Sequence, residues 1–212
     1  MVSIKRYDQV SAFILAGGAS LRMGEAKGLL EFAGVPLLVR TALLLETLVP
    51  IVTVVGSPER YGSLGLRVIA DLDFECADGS GRVQGPLAGI ASALIETDTI
   101  WNLILACDLP YLTTEWLDWL LARAMDSSRQ IVMPRTSRGL EPLAALYRRE
   151  CAVPIVASFG RGVRKVTDAM HEFGIEFVSE QDWKDVDPHG HILRNMNTQA
   201  DYEEARNWLE TK

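Results

Sequence analysis

A three-layer α/β fold on a mostly parallel central sheet is predicted for this chain of 212 residues by three features of its sequence. Short apolar runs alternate with longer segments of helical period, which is the pattern of βα units. Runs such as Phe13–Ala16, Ile51–Val55 and Leu103–Ala106 are apolar rather than alternating, as expected for strands covered by helices on both faces. No internal repeat, low-complexity tract or interdomain linker interrupts the chain, and its length suits one sizeable core, so 1–212 is read as a single domain.

In chain order, the first strand is expected over Ala12–Ala16 and a helix over Pro36–Val49, with Pro36 in its first turn. Strands follow at Ile51–Val55 and Arg67–Ala70. The stretch from Asp71 to Gln84 holds Gly79, Ser80 and Gly81 and reads as a long irregular loop, which inside a compact domain is more often functional or mobile than inert. A helix opened by Pro86 runs to Glu96, and a strand covers Trp101–Ala106. Thr113 or Thr114 precedes a helix over Glu115–Arg123. Further strands are expected at Gln130–Met133, Leu143–Tyr147 and Glu176–Val178, with helices at Cys151–Ser158, Gly162–Phe173 and Gln199–Leu209. The last of these is announced by Thr198, with Asp201 three residues on.

Composition narrows the function. A net charge of -7 argues against a general nucleic-acid or anionic-membrane surface, although a small anionic ligand needs only a local basic pocket. Cys76, Cys107 and Cys151 form no CxxC pair and suit reduced thiols in the cytoplasm. Met1–Val10 lacks the pattern of a secretory signal, and the apolar stretch Pro36–Val55 is broken by Arg40, Glu46 and Pro50, which a membrane span tolerates poorly.

The first strand runs straight into Leu15-Ala16-Gly17-Gly18-Ala19-Ser20-Leu21-Arg22-Met23-Gly24-Glu25-Ala26-Lys27. Glycines let backbone N–H groups approach phosphate oxygens, and Arg22 and Lys27 can neutralise their charge. Taken alone, the string also fits a glycine turn followed by two solvated cations. It is neither GxGxxG nor GxxxxGK[ST], since Lys27 stands three residues after Gly24 and is followed by Gly28.

The full string LAGGxSxRMGxxK resembles the signature of the MobA-like nucleotidyltransferases, and among them the molybdenum cofactor guanylyltransferases. The resemblance continues through Gly85-Pro86-Leu87-Ala88-Gly89-Ile90, Ala106-Cys107-Asp108-Leu109-Pro110 and Asn195-Met196-Asn197-Thr198, and so covers nearly the whole chain. It implies a Rossmann-like nucleotidyltransferase fold whose N-terminal portion binds nucleotide and whose C-terminal portion forms the acceptor side. The implied reaction joins GTP to the terminal phosphate of molybdenum cofactor (molybdopterin), giving the guanine dinucleotide form and pyrophosphate. Molybdoenzymes or their chaperones are the implied further partners.

On this reading Leu15, Ala16, Gly17, Gly18, Lys27, Asp71 and Asp108 bind nucleotide, and Arg22, Lys27 and Asp108 are catalytic. Asp108 follows a strand at its carboxyl end, the edge where open sheets bind ligands, and a carboxylate there suits magnesium on the triphosphate. Its residue type also fits, less well, a cap on the turn into Leu109-Pro110. Asp71 sits at another such edge, where it could instead merely begin a loop; the family places an aspartate here in the nucleotide pocket. Asn195 and Asn197 precede a helix that Thr198 can cap, and the resemblance puts them on the acceptor side. Cys107 reads as a small buried residue, His189 and His191 as a solvated loop without a third ligand, and Trp116 and Trp119 as packing. Two departures bear on base recognition: Gly56-Ser57 stands where an asparagine is expected, and the Asp71–Gln84 loop is long. Rival readings are a cytidylyltransferase on the same cofactor or on a sugar or alcohol phosphate, and a nucleotide-binding regulatory protein. Retention of Arg22, Lys27 and Asp108 together speaks against the last.

Overall fold

The structure, a computed structural model, describes residues 5–17, 26–75, 82–83 and 85–210. β1 (Val10–Leu15) is buried along its whole length. A 3-10 turn over Lys27–Leu29 leads to a small hairpin of β2 (Glu31–Phe32) and β3 (Val35–Pro36). Its two-residue loop, Ala33 at φ 51° and Gly34 at φ 77°, has the doubly positive φ that matches the twist of paired strands. Then come α1 (Leu37–Glu46), β4 (Ile51–Val55), α2 (Pro58–Tyr61) and β5 (Val68–Ile69). A two-residue antiparallel pair, β6 (Phe74–Glu75) and β7 (Arg82–Val83), follows. The rest is α3 (Pro86–Glu96), β8 (Trp101–Ala106), α4 (Thr114–Asp126), β9 (Ile131–Thr136), β10 (Gly139–Leu140), β11 (Ala144–Arg148), α5 (Ala152–Gly160), α6 (Val166–Ala169), β12 (Ile175–Ser179) and α7 (Gln199–Glu210).

The main sheet has the order β10-β9-β11-β8-β1-β4-β5, with β12 on β9. β1 runs parallel to β4 and β8, β4 to β5, and β12 to β9, whereas β11 is antiparallel to both its neighbours. The sheet is thus mostly parallel. Because successive side chains of a strand face opposite ways, Ala12 and Ile14 join one core with Leu45 of α1 and Trp116 and Leu120 of α4. Phe13 and Leu15 join the other with Leu87 and Ile90 of α3 and Ile155 and Phe159 of α5. These are the three layers. α7 docks elsewhere, on the β2–β3 hairpin, where Tyr202 meets Phe32 edge-on at 5.2 Å and donates to the Glu31 carbonyl at 2.7 Å.

Two helices differ from expectation. The segment 36–49 gives its first residue to β3, so Pro36 is the N-cap and the helix covers Leu37–Glu46. The segment 162–173 holds only α6 and a 3-10 turn over Met170–Glu172, because Gly162 leaves α5 at φ 77° and Lys165 is extended. Trp116 and Trp119 both pack edge-on against Trp183. Among the described residues no helix is long and apolar enough to cross a membrane.

Gly28 shows how tightly the segment after Lys27 is set. A Cβ there would lie 2.6 Å from Cδ1 and 2.7 Å from Cγ of Leu38, which is fully buried in α1. Gly28→Ala is therefore expected to cost about 1–3 kcal/mol, the usual range for an overpacked core. A lowered midpoint of urea unfolding at unchanged slope would register it, and an unchanged midpoint would contradict it.

Candidate active site

Chain order places the site. After β1 the chain builds outward through β4 and β5, then returns to add β8 on the other side of β1, so β1 and β8 flank a switch point where a crevice opens at the strand ends. Leu15 pairs with Ala106 in register, and the Cys107 N–H donates to the Leu15 carbonyl at 3.2 Å. Ala16-Gly17 and Cys107-Asp108 therefore emerge side by side. They border a cavity of about 290 Å³ lined by Leu15, Gly17, Asp71, Gly85, Gly89, Asp108 and Asn195, among others. A larger hollow of about 570 Å³, lined by Ile95, Ile100, Arg149 and Val153, lies at the opposite end of β8, away from these groups.

The glycines let Asp71 into the cleft. A Cβ on Gly17 would stand 2.9 Å from its Oδ2, and one on Gly89 would stand 3.5 Å from its Oδ1. Burial raises the pKa of this carboxyl above the ordinary aspartate value by disfavouring its charged form, which a ligand donating hydrogen bonds to it would favour again. Gly85, at φ 100°, turns the chain so that the amino end of α3 meets the cavity, and that end of a helix favours anions.

Lys27 is 7% exposed, yet its charge is met. Its Nζ donates to Asp108 Oδ2 at 2.9 Å and to Asn197 Oδ1 at 2.6 Å. Asn195 Nδ2 donates to the other carboxylate oxygen, Asp108 Oδ1, at 2.9 Å, and the Met196 N–H donates to the Asp108 carbonyl at 3.0 Å. Lys27, Asp108, Asn195 and Asn197, drawn from three distant stretches of chain, thus make one network. Gly18 and Arg22 lie outside the described residues, as do Gly79, Ser80 and Gly81. Ala16 offers no spare N–H, since that group donates to the Val55 carbonyl at 2.8 Å.

Two groups in or near this frame carry no signal of a site role in the sequence. Tyr61 is buried and donates from its hydroxyl to the Ala16 carbonyl at 3.1 Å, supporting the strand exit from below. Gly56 makes room for it: a Cβ there would sit 3.2 Å from both the Tyr61 ring and the Ala16 carbonyl oxygen. Ser57 accepts from the Arg60 N–H as the cap of α2. The second group is Asp201, whose Oδ2 accepts from the Asn197 and Thr198 N–H groups at 2.8 Å each; the sequence shows it only as a helix-start residue. Cys107 is buried and its thiol is pushed up to about 12, by burial first and by the Asp108 charge second, so it is no ready nucleophile. His191 tilts against Tyr111 and His189. No group of three or more His, Cys, Asp or Glu residues is set to hold a metal among the described residues.

Residues 12–173 match the family model described as the MobA-like NTP transferase domain. A protein of Trichormus variabilis named "Probable molybdenum cofactor guanylyltransferase" is 34% identical over 199 residues, which span 92% of this chain and 89% of that protein. The crystal structure of molybdopterin-guanine dinucleotide biosynthesis protein A from Archaeoglobus fulgidus superposes with a TM-score of 0.76 at 21% identity, over 95% of this chain and 100% of that one. A Mycobacterium tuberculosis protein solved as a complex with manganese has a TM-score of 0.63 at 16% identity, over 94% and 98% of the two chains. These two structures share the fold described above.

Proposed function

The chain belongs to the MobA-like NTP transferase family, and from that premise we propose that it transfers GMP from GTP to the terminal phosphate of molybdenum cofactor (molybdopterin). A phosphate oxygen of the acceptor attacks the α-phosphorus of GTP, the bond to the β-phosphate breaks, and pyrophosphate leaves with the displaced electron pair. The observation that carries this reading is the buried Lys27 paired with Asp108 beside a cavity at the strand ends. Two anions must meet there, and such a reaction needs positioning and charge neutralisation more than a protein nucleophile.

In this reading one domain carries both substrates. The backbone of Leu15, Ala16, Gly17 and Gly18 shapes the nucleotide side, with Lys27 and Arg22 neutralising the phosphates, and Asn195 and Asn197 face the acceptor. Asp108 would hold magnesium. Its donor set fits: each carboxylate oxygen has one partner, leaving lone pairs free, and magnesium usually takes only one or two protein carboxylates beside phosphate oxygens and water. The cation would supply charge neutralisation at the reacting phosphates. Lys27, held by Asp108 and Asn197 beside the cleft, would direct its donors to phosphate. Free, buried thiols at Cys107 and Cys151 support a cytoplasmic setting.

Pyrophosphate release with each of four nucleoside triphosphates, against molybdopterin and against common sugar phosphates, tests the proposal; release with a sugar phosphate alone would overturn it. GTP is expected to win over CTP at equal concentration. Guanine presents two neighbouring donors, N1–H and the exocyclic amine, and one ionised carboxylate can accept both, whereas cytosine offers only its N4 amine beside the acceptor N3 and leaves one carboxylate oxygen unpaired. Asp71 is that carboxylate, and Asp71→Ala is expected to reduce the preference at least about tenfold. A wild type favouring CTP would refute the guanylyl assignment. A preference unchanged in Asp71→Ala would move base recognition to the backbone around Leu15–Gly17.

A further inference from the structure

We infer that Asp201 is a positioning residue for Lys27, acting through Asn197, so that the acceptor-side motif and the nucleotide-side lysine form one mechanical unit. The inference rests on the reading of Lys27 as a phosphate-binding group. A lysine ammonium is a point charge on a flexible stem with three rotatable donors, so its direction is set by its acceptors. Here two acceptors are defined: Asp108 Oδ2 and Asn197 Oδ1. They differ in kind. The Asp108 carboxylate competes with phosphate for the ammonium charge and must yield it when the triphosphate arrives. The Asn197 amide oxygen is neutral, can keep its bond, and leaves Lys27 pointing into the cleft.

Asn197 can do this only if its own backbone is held. Asp201 holds it: one carboxylate oxygen, Oδ2, accepts from the N–H groups of both Asn197 and Thr198 at 2.8 Å, and the Asp201 N–H donates back to Thr198 Oγ1 at 3.2 Å. The Asn197 N–H bond leads the causes that keep the Asp201 carboxyl below the ordinary aspartate value, so it is charged in neutral solution. α7 is fixed in turn. Arg194, just before the motif, makes a two-pronged contact with Glu204 at 2.7 and 2.8 Å, and Tyr202 bonds Glu31 of β2, four residues past Lys27. The path from Lys27 through β2 and α7 back to Asn197 is therefore closed by hydrogen bonds.

GTP affinity measured by calorimetry in EDTA, together with KM and kcat for GTP, tests the relay at a temperature below every melting transition. Asp201→Ala is expected to weaken metal-free GTP binding and raise KM by roughly fivefold, the effect of one lost hydrogen bond. Asp201→Asn is expected to restore most of the loss, because a single amide oxygen can replace Oδ2 for both N–H groups. Lys27→Ala combined with Asp201→Ala should bind GTP no worse than Lys27→Ala alone, since the two act as one unit. A merely structural Asp201 would lower the melting temperature, leave GTP affinity unchanged and show no such dependence on Lys27; that result overturns the proposal. If Lys27→Ala is itself impaired and the two losses multiply, the relay fails while the reading of Lys27 stands. If Lys27→Ala binds and turns over GTP like the unaltered protein, the reading of Lys27 falls first and takes the relay with it.

Discussion

Lys27→Ala is expected to lower turnover by about two to three orders of magnitude, the loss typical of removing a preorganised charge stabiliser in a water-poor site. The lysine is set for that role by position and cost. It follows β1 in the chain and is buried at 7% exposure, and burying a charge is expensive unless it is paired. The pair with Asp108 meets that cost, the two side chains being only 8% and 17% exposed. Removing one partner of a buried pair usually strands the other. Here Asp108 keeps the Asn195 amide and faces the cavity, so the fold is expected to survive. Circular dichroism and single-turnover pyrophosphate release, measured together, decide the matter. Unchanged turnover with an unchanged spectrum would remove Lys27 from the chemistry.

The strands around the switch point were legible because buried parallel strands are nearly continuous apolar runs, and β1, β4 and β8 are apolar but for Ser11, Thr53 and Asn102. α3 and α7 were legible for a different reason, their starts being written in Pro86 and in the Thr198–Asp201 pair. The β2–β3 hairpin was not. Its strands are two residues long, too short to show alternation, and its loop is Ala33-Gly34 rather than the Asn-Gly or Asp-Gly that marks such turns. α6 was overread because the segment after Gly162 looks helical while the glycine's positive φ stops it. In the site, Lys27, Asp108, Asn195 and Asn197 could each be named from their motifs. That Asn197 bonds Lys27 across 170 positions could not, since side-chain amides carry no mark of their partner in the chain. Tyr61 was invisible for the same reason: its hydroxyl serves a backbone carbonyl, and any sequence at residue 16 supplies one.

Asp108→Asn is expected to lower magnesium-dependent turnover by about two orders of magnitude or more, while changing GTP affinity in EDTA far less. The substitution keeps shape and removes one negative charge. Without metal, that charge does little for the nucleotide and even repels its phosphates, so binding has little to lose. With metal, the carboxylate would on the proposed reading be the protein's own hold on the cation, for which a neutral amide is a poor substitute. A second effect runs alongside. Both oxygens of Asp108 now accept, one from Lys27 and one from Asn195, whereas an asparagine would turn an NH2 group toward one of those donors. That mismatch disturbs the network whether or not metal is present, so it sets the size of the loss expected in EDTA. The comparison therefore separates the two roles of one residue: a deficit that grows with added magnesium belongs to cation binding, and a deficit equal in the two conditions would assign Asp108 to positioning Lys27 and Asn195 instead.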